Sequence, residues 1–257
     1  MSLIAVIPAR LESSRFPGKP LKLIHGLPMV GHVYKRARMC KELDEVYVAT
    51  CNLEIFDFII SIGGKAIMTK NTHERCTDRT FEAIKKIENE EGKKIDAIVM
   101  IQGDEPMVTP EMIRASLGPI VSGSEDVVVT NLTSKIASEK EHADPNEVKV
   151  VFDKNWNALY FSREPIPSNK KFSGDLPMWK QVCVITFTRN FLEEYSSLEP
   201  TPLEIVESVD MNRVLEHGYS VKLIETKEES FAVDTQDDLK FVEKKMKNDL
   251  LMKSYLE

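Results

Sequence analysis

Short apolar runs and amphipathic stretches alternate along the first half of the chain. Leu3 to Ile7 is an uninterrupted apolar run with the length and branching of a fully buried strand. Pro28 suits a first helical position, and Val30, Val33, Tyr34, Ala37 and Met39 mark the apolar stripe of a helix to about Cys40. Glu45 to Thr50 (EVYVAT) predicts a second strand, Ile55 to Ile62 a helix closed by Gly63-Gly64, and Lys65 to Met68 a short third strand. This βαβαβ order predicts a parallel sheet with right-handed crossovers. Thr77 to Glu90, with Phe81, Ile84 and Ile87 on one face, predicts a further helix, and the run Ile95 to Ile101 a central strand. A helix from Pro110 to about Val121 and a strand from Asp126 to Leu132 continue the alternation.

The texture changes at Asn146. Glu147 to Asp153 and Ala158 to Ser162 read as paired strands around the turn Lys154-Asn155-Trp156-Asn157, a hairpin rather than a βα unit. Glu164 to Met178 is rich in Pro, Lys, Ser and Gly and predicts a mobile excursion. Gln181 to Phe187 predicts a return to the sheet. Helices are then expected over Asn190 to Ser197 and Pro202 to His217, a late strand over Tyr219 to Glu225, and a last helix from Gln236 to about Lys253. The whole predicts an α/β chain of one domain, residues 1–257, in which 146–188 form a hairpin and mobile lobe.

At 257 residues the chain can bury a large core without staples. Its formal charge of −7 argues against a nucleic-acid or anionic-membrane partner, because either calls for a basic face. Cys40, Cys51, Cys76 and Cys183 show neither C-x-x-C nor metal spacing, as expected of reduced thiols. No stretch has the form of a leader peptide or a membrane span, and a cytoplasmic chain is expected.

Against that acidic background the loop after the first strand is locally basic, with Arg10, Arg15 and Lys19 among Ser13, Ser14, Pro17 and Gly18. Charge alone is equally met by a solvated basic loop. Its place at the carboxyl end of a buried strand, where open α/β sheets bind ligands, points to a polyphosphate. Known phosphate motifs are absent. Gly26 and Gly31 have P-loop spacing, but His32 and Val33 stand where Lys and Ser or Thr are needed, and no G-x-G-x-x-G follows the first strand. Two acidic residues, Asp104 in QGDEP and Asp234 in VDT, close strand-like segments. Either could open a turn or begin a helix. Together with the basic loop they suit a divalent cation that neutralises a triphosphate.

IPARLESSRFPGKPL, IQGDEPM, NEVKVVFDKNWNALYFSR and FAVDTQDDL, in this order and at these separations, resemble the CMP-Kdo synthetases, the cytidylyltransferases that activate 3-deoxy-manno-octulosonate. The resemblance covers nearly the whole chain. It implies an α/β sandwich of nucleotidyltransferase type with a mainly parallel sheet, a small hairpin lobe for dimerisation, a homodimer, and the use of Mg²⁺ and CTP. It implies that Arg10, Arg15 and Lys19 bind the triphosphate, that Gln102 lines the site, and that Asp104 and Asp234 hold Mg²⁺. Thr77 and Arg79 in HERCTDR match the family's H-Q-S-G-T-E-R and are assigned to the nucleotide pocket; Arg163 is assigned to the sugar carboxylate.

The implied reaction is attack by the anomeric hydroxyl of a 2-keto sugar acid on the α-phosphorus of CTP, with release of pyrophosphate. It needs no histidine base, and His73, the nearest of the five histidines, reads as a helix-edge or loop residue. Departures fall on the sugar side. Gln181-Val182-Cys183-Val184-Ile185 replaces the family's His-Leu-Gly-Ile-Tyr and Asp210-Met211 replaces Glu-Gln, while near the nucleotide Arg75-Cys76 replaces Ser-Gly. Such changes alter the sugar's hydrogen-bond partners, so the acceptor is expected to be Kdo, an amino-substituted Kdo or a related ulosonic acid. The alternatives are a cytidylyltransferase for a nine-carbon, sialic-acid-like sugar and a catalytically silent nucleotide-binding homologue.

Overall fold

A computed structural model of the chain describes residues 1–12, 16–123, 127–168, 170–171 and 178–256. Its centre is β1 (Leu3–Ala9), buried at every position and flanked by parallel neighbours. After a 3₁₀ turn at Lys19–Leu21 and a small hairpin, β2 (Leu23–Ile24) and β3 (Leu27–Pro28), come α1 (Met29–Arg38), β4 (Glu45–Thr50), α2 (Leu53–Ser61), β5 (Lys65–Met68), α3 (Cys76–Glu91), β6 (Ala97–Ile101) and α4 (Pro110–Val121). The second half holds β7 (Val129–Lys135), α5 (Glu139–Ala143), β8 (Lys149–Phe152), β9 (Ala158–Ser162), β10 (Trp179–Thr188), α6 (Arg189–Tyr195), α7 (Pro202–Glu207), α8 (Asp210–Glu216), β11 (Lys222–Glu225), α9 (Gln236–Met246) and α10 (Leu250–Leu256).

The main sheet runs β11-β7-β10-β6-β1-β4-β5, and the β8–β9 pair joins it at β10. The β6-β1-β4-β5 half is parallel, as the βαβαβ order predicts. The mixed character comes from β10, which enters antiparallel between β6 and β7. Helices cover both faces. One core layer packs β-strand side chains against α3, α6 and α8, and the other packs them against α1, α2 and α4. A third cluster joins Ile24 and Met29 to Val233, Leu239 and Val242 and so seats α9.

Two expected helices are each divided. The 202–217 helix breaks at Ser208, whose φ of 54° is left-handed, and the C-terminal helix breaks between α9 and α10. At the second break Asp249 accepts the backbone N–H groups of Leu251 and Met252 at 2.8 and 3.1 Å and pairs with the buried Arg36 guanidinium. Arg36 also donates to the Tyr255 hydroxyl at 3.1 Å, so the chain turns back to clasp α1. Residues 169 and 172–177 of the mobile excursion expected over 164–178 lie outside the described residues, as does Asp126 at the start of the strand expected over 126–132.

His32 completes this clasp. Its Nε2 is 2.7 Å from the Ile24 carbonyl and its Nδ1 2.7 Å from the Tyr255 hydroxyl, which a neutral ring satisfies by donating at one nitrogen and accepting at the other. Burial pushes its pKa down to about 4. The unfolded chain therefore binds the proton first, and stability is lost as the pH falls from about 6.5 toward the folded value. Urea unfolding at neutral pH and near pH 5 should show this loss. His32→Gln, which keeps both contacts without titrating, should make the acid slope shallower; an unchanged slope would remove His32 as its source.

Candidate active site

Three segments meet at the carboxyl ends of β1 and β6. Gly18 adopts a left-handed φ of 69°, which glycine takes without side-chain cost, and its N–H donates to the Leu11 carbonyl at 3.0 Å. That turn delivers Lys19. Gly103 lets the end of β6 close on β1, since a Cβ there would stand 3.2 Å from the Pro8 carbonyl oxygen. The Val233 N–H donates to the Asp104 carbonyl at 3.0 Å and brings in the third segment. There, Thr235 and Asp238 form a reciprocal capping box at the start of α9. Thr235 takes the capping duty that Asp234 was free to take, and the Asp234 carboxylate points to Lys19.

Lys19 Nζ donates to Asp104 Oδ2 at 2.6 Å and to Asp234 Oδ1 at 3.1 Å, with all three side chains largely buried. Burial opposes the ammonium charge, but the two carboxylates outweigh it and hold its pKa above the ordinary lysine value. Asp104 Oδ1 is buried and has no hydrogen-bond partner among the described residues. An open carboxylate oxygen beside a second carboxylate and a basic loop fits Mg²⁺, which takes few protein ligands and completes its shell with phosphate oxygens and water. No group of three acidic, His or Cys side chains that could hold a metal occurs among the described residues.

Two cavities, of about 390 and 150 Å³, share Lys19, Gln102, Asp104, Arg163 and Asp210 as a common wall. The larger one extends to Arg10, whose Nη1 donates to the His73 carbonyl at 3.2 Å and which is otherwise exposed. Arg15 lies outside the described residues. The smaller one extends to Gln181, whose Nε2 donates to Asn131 Oδ1 at 2.6 Å. Arg163 is held at its backbone by Glu207 Oε2 at 2.8 Å and at its side chain by the Glu207 carbonyl at 2.7 Å and the Pro145 carbonyl at 2.9 Å. Asp210 faces both cavities; burial raises its pKa against the Thr77 hydrogen bond and Arg75.

Three of the assigned residues line neither cavity. Thr77 is fully buried and lines neither cavity; its hydroxyl and N–H donate to Asp210 Oδ2 at 2.7 and 3.3 Å, so it sets that carboxylate. Arg79, also buried, spends its guanidinium on Thr69 Oγ1 at 2.6 Å and on the Lys70 and His73 carbonyls, which shapes the loop before α3. Met211 is fully buried in the core rather than on the sugar side. Adjacent residues of a helix point about 100° apart. With Asp210 turned to the cavity, Met211 turns inward. His73 pairs with Glu82 and lines neither cavity, in keeping with a loop role.

Other wall residues lay within the quoted segments but carried no assigned role. Glu105 is buried, its pKa pushed up to about 7 by burial, and it accepts from Ser230 Oγ at 2.6 Å and from the Cys183 N–H at 3.2 Å. Cys183 sits in an irregularity of β10 between Val182 and Ile185, the kind of bulge that re-aims side chains beside a site. Burial pushes the Cys76 thiol up to about 12, which leaves it unreactive.

A mainly parallel α/β sheet with a cationic loop and an acidic pair at its strand ends is the arrangement of a nucleotidyltransferase. The chain belongs to the cytidylyltransferase family, whose model, described as "Cytidylyltransferase", matches residues 4–230. It is 41% identical over 242 residues to the 3-deoxy-manno-octulosonate cytidylyltransferase of Fusobacterium nucleatum, spanning 94% of this chain and 96% of that one. It is 38% identical over 246 residues to the 8-amino-3,8-dideoxy-manno-octulosonate cytidylyltransferase of Shewanella pealeana, spanning 96% and 99%. A solved CMP:2-keto-3-deoxy-manno-octonic acid synthetase complexed with CTP superposes with a TM-score of 0.87 at 36% identity, covering 97% of this chain and all of that one (100%).

Proposed function

We propose that the protein couples CTP to the anomeric hydroxyl of a 2-keto-3-deoxy sugar acid, Kdo or an amino-substituted or related ulosonic acid, giving a CMP-sugar and pyrophosphate. The observation that carries this reading is the convergence of Lys19, Asp104 and Asp234, the first two on the wall shared by the two cavities and Asp234 on the smaller one. Arg10 and Lys19, with Arg15, take the triphosphate. Gln102 lines the pocket. Arg163 offers its guanidinium to the acceptor carboxylate, with Gln181 and Asp210 toward its hydroxyls. Asp104 and Asp234 would hold Mg²⁺, which when bound offsets phosphate charge and lowers the pKa of the incoming hydroxyl. The new bond joins the acceptor oxygen to the α-phosphorus. The bond from that phosphorus to the bridging oxygen breaks, pyrophosphate leaves, and the hydroxyl proton passes to solvent. Lys19 stabilises the charge that grows on the leaving group.

The same reading makes residues 1–257 one catalytic domain of a cytoplasmic homodimer with no nucleic-acid partner. Among the described residues no helix is long and apolar enough to cross a membrane. The lobe 146–188 is taken as the pairing surface, since β9 pairs only with β8 and exposes Leu159. Pyrophosphate release from CTP and Mg²⁺ should be measured with Kdo, its 8-amino analogue and a nine-carbon nonulosonic acid. Release with one of the eight-carbon acids is expected. Release with the nine-carbon acid alone would move the assignment to that sugar class, and CTP binding without release would indicate a silent homologue.

A further inference from the structure

We infer that Arg75 is a positioning residue that sets the acceptor wall, acting through the strained turn at Ser208; this rests on the reaction proposed above. Arg75 precedes α3 and is mostly buried along the larger cavity. Its Nη1 donates to Ser208 Oγ at 2.6 Å, its Nη2 to the Glu204 carbonyl at 3.4 Å, and its Nε stands 3.4 Å from Glu204 Oε1 and 3.9 Å from Asp210 Oδ1. Neutralising Glu204 does not require it. Arg213 already engages that buried carboxylate through two bonds, Nε to Oε2 at 2.7 Å and Nη2 to Oε1 at 2.6 Å. What Arg75 adds is a hold on the α7–α8 turn.

That turn needs holding. Ser208 has φ 54° and ψ 49°, the left-handed region, which is unfavourable for a residue with a side chain. Glycine would take it freely. The turn is pinned from both sides. Arg163 Nε donates to the Glu207 carbonyl at 2.7 Å on the acceptor side, and Arg75 takes the Ser208 hydroxyl on the nucleotide side. Two residues after Arg75, Thr77 fastens Asp210. The start of α3 thus fixes both ends of the segment 208–210, and with it the relative placing of Arg163 and Asp210 in the cavities. A single flexible ammonium cannot span the Ser208 hydroxyl and the Glu204 carbonyl as the planar fork does.

The test uses the full-length enzyme with Mg²⁺, CTP and whichever eight-carbon acid the wild type turns over. Arg75→Ala should raise the acceptor KM about tenfold or more, while the calorimetric CTP affinity changes less than about twofold. Arg75→Lys should recover little of the loss. Ser208→Gly relieves the backbone cost and removes only the anchor oxygen, so it should reproduce the acceptor defect while the melting temperature stays level or rises. The double variant should be no worse than Arg75→Ala, because both substitutions break one contact. A silent Ser208→Gly beside a defective Arg75→Ala would mean that Arg75 meets the substrate directly and would overturn the role assigned to the turn. Equal loss of both substrates with a lowered melting temperature would reduce Arg75 to a structural contact. If wild type releases no pyrophosphate with any acid, the parent reading fails and this inference falls with it.

Discussion

Replacing Asp104 or Asp234 by alanine is expected to lower turnover by about three orders of magnitude while leaving the fold in place. The two effects separate because both side chains line a cavity and lie outside the core clusters. Lys19 Nζ lies 2.6 Å from one carboxylate and 3.1 Å from the other, so the ammonium keeps a carboxylate partner when either aspartate is replaced. Its buried charge is therefore not stranded. Thermal unfolding of each variant within a few degrees of wild type, alongside lost pyrophosphate release, would match this account. Near-normal turnover in either variant would remove that residue from the metal site.

Lys19→Met is expected to behave oppositely in stability. It takes from both carboxylates the ammonium that stands 2.6 and 3.1 Å away, so the melting temperature should fall in chelator and recover on addition of Mg²⁺ as the metal takes over the neutralising role. Turnover should drop about 10²- to 10³-fold even with saturating metal, because the donor aimed at the leaving phosphates is gone. Melting curves recorded with and without Mg²⁺, paired with initial rates, check both halves. A variant that melts like wild type in chelator would mean that the carboxylates do not depend on Lys19 for compensation.

The contrast between these residues and others explains what the sequence made legible. Lys19 completes a Gly-Lys step after a buried run, Asp104 follows a strand end and Asp234 precedes a helix, so local pattern placed each where the chain opens toward a ligand. Thr77 and Arg79 belonged to a motif, but a motif does not state which way a side chain points. In the structure Thr77 turns to Asp210 and Arg79 to the 69–73 loop. Met211 stands one residue of helical rotation from Asp210 and faces the core. The break at Ser208 had no local cause to read, since neither Gly nor Pro marks it and its left-handed backbone is held by Arg75 and Arg163 from distant segments. The antiparallel entry of β10 was hidden for a similar reason: periodicity reports burial, and strand direction follows from how the lobe returns to the sheet. Glu105 escaped notice because its burial depends on Ser230 and Cys183, far away in the chain.

The coordination of one triphosphate by Asp104 and Asp234 through a divalent ion is most directly tested by calorimetric CTP affinity with Mg²⁺ and with chelator, in wild type and both alanine variants. Wild type should bind CTP about tenfold or more tighter with Mg²⁺, and the variants should lose that enhancement while keeping the metal-independent binding supplied by the basic loop. An undiminished Mg²⁺ enhancement in both variants would contradict the account.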